Sequence, residues 1–230
     1  MRIGGMQKLT LLDYPGKVAC TVFMSGCNLR CPYCHNPGLV LPERMDGREI
    51  SVAEVLRFLE QRKGKLDGVC IAGGEPTLQP RLPEFLESIS NLGYAVKLDT
   101  NGTNPRMLKV LLQEGILTYV AMDVKNSPSR YAETCGGVDV LPEVQESAAL
   151  LLNGTIEYEF RTTVCKPLHA EKDMEEIGSW LRGAKRYFLQ AFVDSRDLVS
   201  GGVQAYTHDE LARLRQAMLP YIPNTLLRGI

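Results

Sequence analysis

The sequence predicts an α/β fold built on a mainly parallel sheet. Short, apolar, β-branched runs alternate with stretches of helical periodicity about six times along the chain. Glycines follow five of the helical stretches, and the most polar motifs sit where the strands end. Regular βα alternation requires right-handed crossovers between parallel strands, which both an open doubly wound sheet and a partial barrel satisfy. Either architecture gathers its chemistry at the C-terminal ends of the strands.

The first predicted strand, 17–24, is rich in β-branched and aromatic residues and runs straight into a group of cysteines. Ser51 with Glu54 three residues on makes a capping box, and Val52, Val55, Leu56 and Leu59 continue at helical spacing. A buried strand at 69–72 leads into Gly73-Gly74-Glu75-Pro76, and Leu82, Phe85, Leu86, Ile89 and Leu92 form the next apolar stripe. Strand 94–98 ends in Asp99-Thr100-Asn101-Gly102 and is followed by a helix over 105–113. Strand 119–122 ends in Asp123-Val124-Lys125, with a helix over 142–152. Strand 156–164 and helix 173–181 follow, then strand 187–192 and a last helix over 209–219. Gly64, Gly93, Gly115, Gly154 and Gly183 stand where the αβ loops call for a residue of positive φ.

The 230 residues suffice for one larger α/β domain, and no linker, repeat or low-complexity segment interrupts them, so 1–230 reads as a single domain. Lys and Arg total 26 against 27 Asp and Glu, a balance that argues against a nucleic-acid-coating surface. No apolar run approaches the ~20 residues that span a bilayer, and the N-terminus carries no signal-peptide core. A cytoplasmic protein without membrane or nucleic-acid partners is expected.

Of the seven cysteines, Cys20, Cys70, Cys135 and Cys165 are dispersed and read as small core hydrophobes. Cys27, Cys31 and Cys34 have C-x3-C-x2-C spacing on one loop. Three thiolates on one loop can hold three irons of a [4Fe-4S] cube and leave the fourth iron open; the bland alternative is a loop of free or zinc-bound cysteines. A zinc site needs a fourth ligand, and His35, directly after Cys34, is poorly placed for the same ion.

The string Cys27-x3-Cys31-x-Tyr33-Cys34, with Gly73-Gly74-Glu75-Pro76 after the second strand, resembles the radical S-adenosylmethionine superfamily. Tyr33-Cys34-His35-Asn36-Pro37 and Asp13-Tyr14-Pro15-Gly16 resemble the glycyl-radical-enzyme activases within it, most closely those of anaerobic ribonucleoside-triphosphate reductase. The resemblance runs from about Gly4 to the region of Phe192. It implies a partial (β/α)6 barrel with outer helices. It also implies a [4Fe-4S] cluster on Cys27, Cys31 and Cys34, and S-adenosylmethionine cleaved to a 5′-deoxyadenosyl radical.

The same resemblance assigns the remaining site residues. Tyr33 neighbours the cofactor. Gly73 and Gly74 allow close backbone approach, their amides or carbonyls gripping the ammonium end, while Glu75 accepts from that ammonium or pins the loop. A glycine pair alone is also an ordinary βα turn. Asp99 and Asp123 end consecutive strands, so both are expected at one mouth, where two carboxylates need neutralising. In such activases the Asp-Thr pair and the Asp of D-x-K serve a monovalent-cation site, which transfers here to Asp99, Thr100 and Asp123. Lys125 and Arg161 are the cations expected near the cofactor carboxylate. Pyruvate formate-lyase activases carry a histidine near the end of the sixth strand. Here that strand holds Gln190 and no histidine, which favours the reductase activase.

The implied partners are a glycyl radical enzyme, with anaerobic ribonucleoside-triphosphate reductase first, and a low-potential electron donor such as flavodoxin or ferredoxin. The alternatives are an activase of the pyruvate formate-lyase type, or a radical enzyme acting on a small molecule such as a deazapurine precursor. His169 reads as a residue that orients its loop, His208 as part of a helix start and Trp180 as core.

Overall fold

A computed structural model describes residues 1–44, 49–194 and 197–230. Eight strands form an open, mostly parallel sheet in chain order: β1 (Ile3–Thr10), β2 (Ala19–Met24), β3 (Gly68–Gly73), β4 (Ala95–Thr100), β5 (Tyr119–Asp123), β6 (Glu157–Val164), β7 (Tyr187–Ala191) and β8 (Thr225–Arg228). The helices are α1 (Pro37–Val40), α2 (Val52–Gln61), α3 (Leu82–Asn91), α4 (Pro105–Gln113), α5 (Tyr131–Thr134), α6 (Leu141–Leu152), α7 (Glu171–Trp180) and α8 (His208–Met218).

The six strands expected from the sequence are β2 to β7, and two more flank them. β1 pairs antiparallel with β2, Ile3 opposite Met24 and Thr10 opposite Ala19, with two irregularities between. Its Gly4-Gly5 pair and its exposed Gln7, Lys8 and Leu9 depress strand propensity, which is why the segment did not read as a strand. β8 has only four residues. Gly154 corrects a second expectation. Gly64, Gly93, Gly115 and Gly183 adopt positive φ, but Gly154 does not, because α6 ends on Asn153 in right-handed geometry.

The chain divides into two compact units whose boundary falls inside β5. The first comprises Met1–Asn28, Gly38–Thr100 and Arg106–Val120. Ala19 to Met24 run in parallel register with Gly68 to Gly73, and Gly68 to Ile71 with Ala95 to Leu98. Val22, Val69, Ile71, Val96 and Leu98 are fully buried, covered by Val55 and Leu59 of α2 and by Leu82, Leu86 and Ile89 of α3. The predicted capping box is present: Ser51 Oγ accepts from Glu54 N at 3.2 Å, and Ser51 N donates to Glu54 Oε2 at 2.8 Å.

The second unit comprises Leu29–Pro37, Asn101–Pro105 and Ala121–Ile230. Phe160 to Val164 pair with Tyr187 to Ala191, and Tyr187 to Gln190 with Thr225 to Arg228. Tyr158, Phe160 and Tyr187 form a buried aromatic run, Tyr158 edge-to-face with Phe160 at 5.2 Å and Phe160 tilted against Tyr187 at 6.4 Å. Ile177 of α7 and Leu211, Leu214 and Met218 of α8 complete this core. His208 opens α8 after a Thr207 cap, as expected, whereas Trp180 is half-buried with its edge against Tyr131.

Candidate active site

In the first unit the sequence motifs close around the end of β3. Gly73 has φ +119, and a Cβ there would lie 2.4 Å from the backbone N and O of Met24. A Cβ on Gly74 would lie 2.0 Å from the carbonyl oxygen of Gly26. The absence of side chains lets Gly74 N donate to Met24 O and Glu75 N to Gly26 O, both at 2.8 Å. These glycines therefore dock the β3 loop onto the residues that lead into Cys27. The Gly74 amide is spent on that contact, so of the amide and carbonyl groups expected to grip the ammonium end, Gly74 has its carbonyl left to offer.

Glu75 is fully buried. Its Oε1 accepts from Thr77 N at 3.0 Å, from Thr77 Oγ1, and from Thr100 Oγ1 at 2.7 Å. Of its two expected roles, these contacts serve the second: the carboxylate pins its own loop and ties it to the end of β4. Asp99 lies two residues along β4 from Lys97, on the same face of the strand. Lys97 Nζ forms an ion pair with Asp99 Oδ1, and Cys70 Sγ lies 3.5 Å from the same oxygen.

In the second unit Asp123 ends β5 between two cations. Lys125 Nζ lies 3.1 Å from its Oδ2, and Arg161 Nε pairs with its Oδ1. Burial by itself would raise the Asp123 carboxyl; the charges of Arg161 and Lys125 outweigh it and hold it well below the usual carboxylate range. The neutralisation demanded of both carboxylates is thus supplied by side chains: Lys97 at Asp99, and Lys125 with Arg161 at Asp123.

Cys31 and Cys34 belong to this second unit and Cys27 to the first; none of the three is in a disulfide. Cys34 N donates to Cys31 O at 3.1 Å, which tightens the loop into a turn. The loop is held from outside by Arg30 N to Cys135 O at 3.1 Å, Ser200 N to Pro32 O at 3.2 Å and Val199 N to Cys34 O at 3.1 Å. A Cβ on Gly136, which has positive φ, would press on Arg30 at 2.8 Å. The Cys135 thiol is hydrogen-bonded to Cys31. That bond, opposed by burial and aided by the Lys125 charge, brings the Cys31 thiol down to about 7. Burial pushes Cys34 up, and burial with the nearby Cys31 pushes Cys165 up to about 12.

Tyr33 is buried with its ring edge toward His169, centroids 6.1 Å apart. His169 accepts Cys165 N–H on Nδ1 at 3.1 Å and donates from Nε2 to Lys125 O at 2.8 Å. Burial lowers its pKa, so it stands as a neutral strut beneath Lys125. Tyr33 Oη and Gln190 Oε1 are buried atoms with no hydrogen-bond partner among the described residues. Buried polar atoms without a protein partner are rare in folded proteins, and each calls for a water or a ligand group.

The radical SAM family model matches residues 21–181, a span that holds all three loop cysteines, the glycine pair, both aspartates and Arg161. The chain belongs to the radical SAM superfamily. It is 31% identical over 235 residues to a Methanocaldococcus jannaschii protein named as a glycyl-radical enzyme activating enzyme, covering 99% of this chain and 96% of that one. It is 34% identical over 130 residues to the pyruvate formate-lyase-activating enzyme of Clostridium pasteurianum, 54% of this chain and 52% of that enzyme. Among solved structures, Streptococcus suis SuiB bound to S-adenosylmethionine matches 91% of the chain with a TM-score of 0.71 at 17% identity. The chain spans about half of SuiB, 52%. QueE from Escherichia coli matches with a TM-score of 0.60 at 16% identity, over 98% of this chain and 92% of that one. These structural likenesses establish the radical SAM fold.

Radical SAM enzymes use a [4Fe-4S] cluster and S-adenosylmethionine. The residues present fit both. Three cysteines outside any disulfide, one of them titrating near neutrality, suit thiolate ligation of iron. The orphaned Tyr33 and Gln190 oxygens suit a polar ligand. No three His, Cys, Asp or Glu side chains converge on a single metal ion among the described residues. Sequence reasoning missed Cys135, Gly136 and Lys97 as parts of the site's support. Among the described residues no helix is long and apolar enough to cross a membrane.

Proposed function

We propose that this radical SAM enzyme is the activase of an anaerobic ribonucleoside-triphosphate reductase, abstracting one hydrogen atom from a glycine Cα of that partner. The observation that carries the reading is the string Tyr33-Cys34-His35-Asn36-Pro37 on the cysteine loop, in a chain similar over nearly its whole length to a protein named as a glycyl-radical enzyme activating enzyme. Gln190 in place of a sixth-strand histidine supports the reductase over a pyruvate formate-lyase partner.

Cys27, Cys31 and Cys34 would hold the cluster, and Cys31 would ligate as a thiolate because Cys135 and Lys125 have already lowered its pKa. Bound there, cluster and S-adenosylmethionine supply a one-electron reductive C–S cleavage whose end products are methionine and 5′-deoxyadenosine, the latter carrying the glycine's hydrogen. Tyr33 and Gln190 would offer hydrogen bonds to the cofactor, and the Gly73-Gly74 carbonyls would serve its ammonium end. Lys125 and Arg161 carry positive charge for its carboxylate, and Asp123 keeps both in place. Glu75, through Thr100, ties the β3 loop to the end of β4, where Asp99 stands. The electron comes from a low-potential flavodoxin or ferredoxin, and the setting is cytoplasmic.

Anaerobic reconstitution followed by reduction with S-adenosylmethionine tests the reading by electron paramagnetic resonance. A cluster signal altered by S-adenosylmethionine, then a glycine-centred radical in the reductase, is expected. Cleavage without that radical redirects the search to a pyruvate formate-lyase-type partner or to a small substrate. The small-substrate reading has one observation of its own, 35% identity over 80 residues to the 7-carboxy-7-deazaguanine synthase of Aquifex aeolicus. Failure to assemble any cluster on the three cysteines sinks every version.

A further inference from the structure

Lys97 is the buried charge that the reaction does not call for. It lies in the middle of β4 with its side chain 2% exposed, and it faces Cys70 of β3 in direct register. Its ammonium meets the Asp99 carboxylate, lies 3.7 Å from Cys70 Sγ and sits 6.0 Å from the centre of the Tyr119 ring. An ammonium in a strand interior is costly unless a carboxylate compensates it, and residues two apart on a strand are the ones that share a face. Lys97 and Asp99 therefore form a built pair, each justifying the burial of the other.

Asp99 is also the residue to which the family resemblance assigns a bound monovalent cation. A second cation at that carboxylate would meet the ammonium already there and be repelled by it. We propose that the Lys97 ammonium takes the cation's place at Asp99, so that this enzyme folds and binds S-adenosylmethionine without any requirement for Na+ or K+. A covalently tethered cation is present at every salt composition, whereas a bound ion is present only at sufficient concentration. The consequence for cofactor binding rests on the reading of Asp99 as part of the S-adenosylmethionine site; the consequence for stability of the metal-free protein does not.

The test compares Na+, K+, NH4+ and choline chlorides at one matched ionic strength of about 0.1 M. Melting temperature is read on the cluster-free chain and S-adenosylmethionine affinity on the reconstituted one. Wild type is expected to show the same melting temperature and the same affinity in all four salts. Lys97→Met is expected to melt about 3 °C higher in K+ or NH4+ than in choline, and to bind S-adenosylmethionine about fivefold more tightly there. The double variant Lys97→Met, Asp99→Asn is expected to lose that dependence, since no carboxylate is left to compensate.

A saturable gain of wild-type melting temperature or affinity with K+ or Na+ over choline overturns the proposal, and so does a folded Lys97→Met that ignores the cation. Should Lys97→Met not fold in any salt, the wild-type comparison still decides, because cation dependence with Lys97 present is what the proposal forbids. Absence of S-adenosylmethionine binding in every salt, with the melting pattern as expected, counts against the cofactor reading and not against the role of Lys97.

Discussion

The Cys135 thiol is hydrogen-bonded to Cys31, in the turn whose next backbone contact runs from Arg30 N to Cys135 O. A cysteine more than a hundred residues from the loop thus sets both the position and the acidity of one of its three thiols. The bond stabilises the Cys31 thiolate, which lowers the cost of deprotonation that ligation requires.

Replacing Cys135 with alanine removes that bond and leaves burial to act on Cys31. The Cys31 thiol is expected to rise from about 7 toward the ordinary value of about 8.5, so its alkylation by iodoacetamide at pH 7 falls roughly tenfold. Mass spectrometry of the Cys31 peptide from cluster-free protein reads the rate directly. Cys34, whose thiol is raised by burial, serves as the internal control. An unchanged Cys31 rate would show that Lys125 alone accounts for its acidity.

The Asp123 ion pairs predict a particular pH dependence. Asp123 has a folded pKa below its unfolded value, so the unfolded state binds more protons in acid, and its contribution is present above the unfolded pKa of about 4. It is lost as pH falls through the folded value. Asp123→Asn leaves Lys125 and Arg161 facing each other without an anion, and a loss of about 2–3 kcal/mol is expected at neutral pH. Urea unfolding from pH 8 to pH 3 should give a gap between wild type and variant that is level above pH 5 and narrows below about pH 4. A gap that widens in acid would contradict the sign.

Much of this was legible in the sequence, and the reasons differ by element. Strands β2 to β7 could be read because each is a short apolar run bounded by turn residues, whereas β1 could not, since Gly4-Gly5 and its exposed polar residues give no period. The site residues stood in motifs at strand ends. Their partners did not: Cys135 and Gly136 look like any helix end, and only tertiary packing brings them to Arg30 and Cys31. Lys97 left a faint signal, a lysine between apolar neighbours two residues before a strand-end aspartate. His169 was read correctly as a loop-orienting residue, since its two ring nitrogens are both spent on backbone.

Glu75 concentrates three hydrogen bonds on one buried oxygen, which predicts a graded series. Thr100→Val removes one donor and is expected to cost about 1–2 kcal/mol. Glu75→Leu strands the Thr77 amide and both hydroxyls in a buried site, and a loss of about 3 kcal/mol or more is expected. Glu75→Gln keeps a carbonyl oxygen for the same donors and should fall between them. Chemical denaturation of the cluster-free chain measures the order. Equal losses for Gln and Leu would mean that the charge, not the acceptor, holds the loop.

The last prediction concerns the two glycines that let the β3 loop reach the segment before Cys27. A Cβ on Gly74 has nowhere to go, because the Gly26 carbonyl oxygen it would meet at 2.0 Å is backbone rather than a side chain able to swing aside. Gly74→Ala therefore has to push residues 24–26 away from β3 and break the bonds from Gly74 N to Met24 O and from Glu75 N to Gly26 O. A loss of about 2–4 kcal/mol is expected, the sum of overpacking and of unmade backbone bonds. Gly136→Ala, which strains a positive φ and presses on Arg30 within the second unit, displaces Cys31 by a separate route. Both variants should load less iron and sulfide per chain under conditions that load the wild type fully. Gly93→Ala, at a positive-φ glycine with open space around it, is the control: it should cost about 1 kcal/mol of backbone strain and leave iron content unchanged. Full iron loading by Gly74→Ala would mean that the approach of the β3 loop supports the fold and not the placement of Cys27.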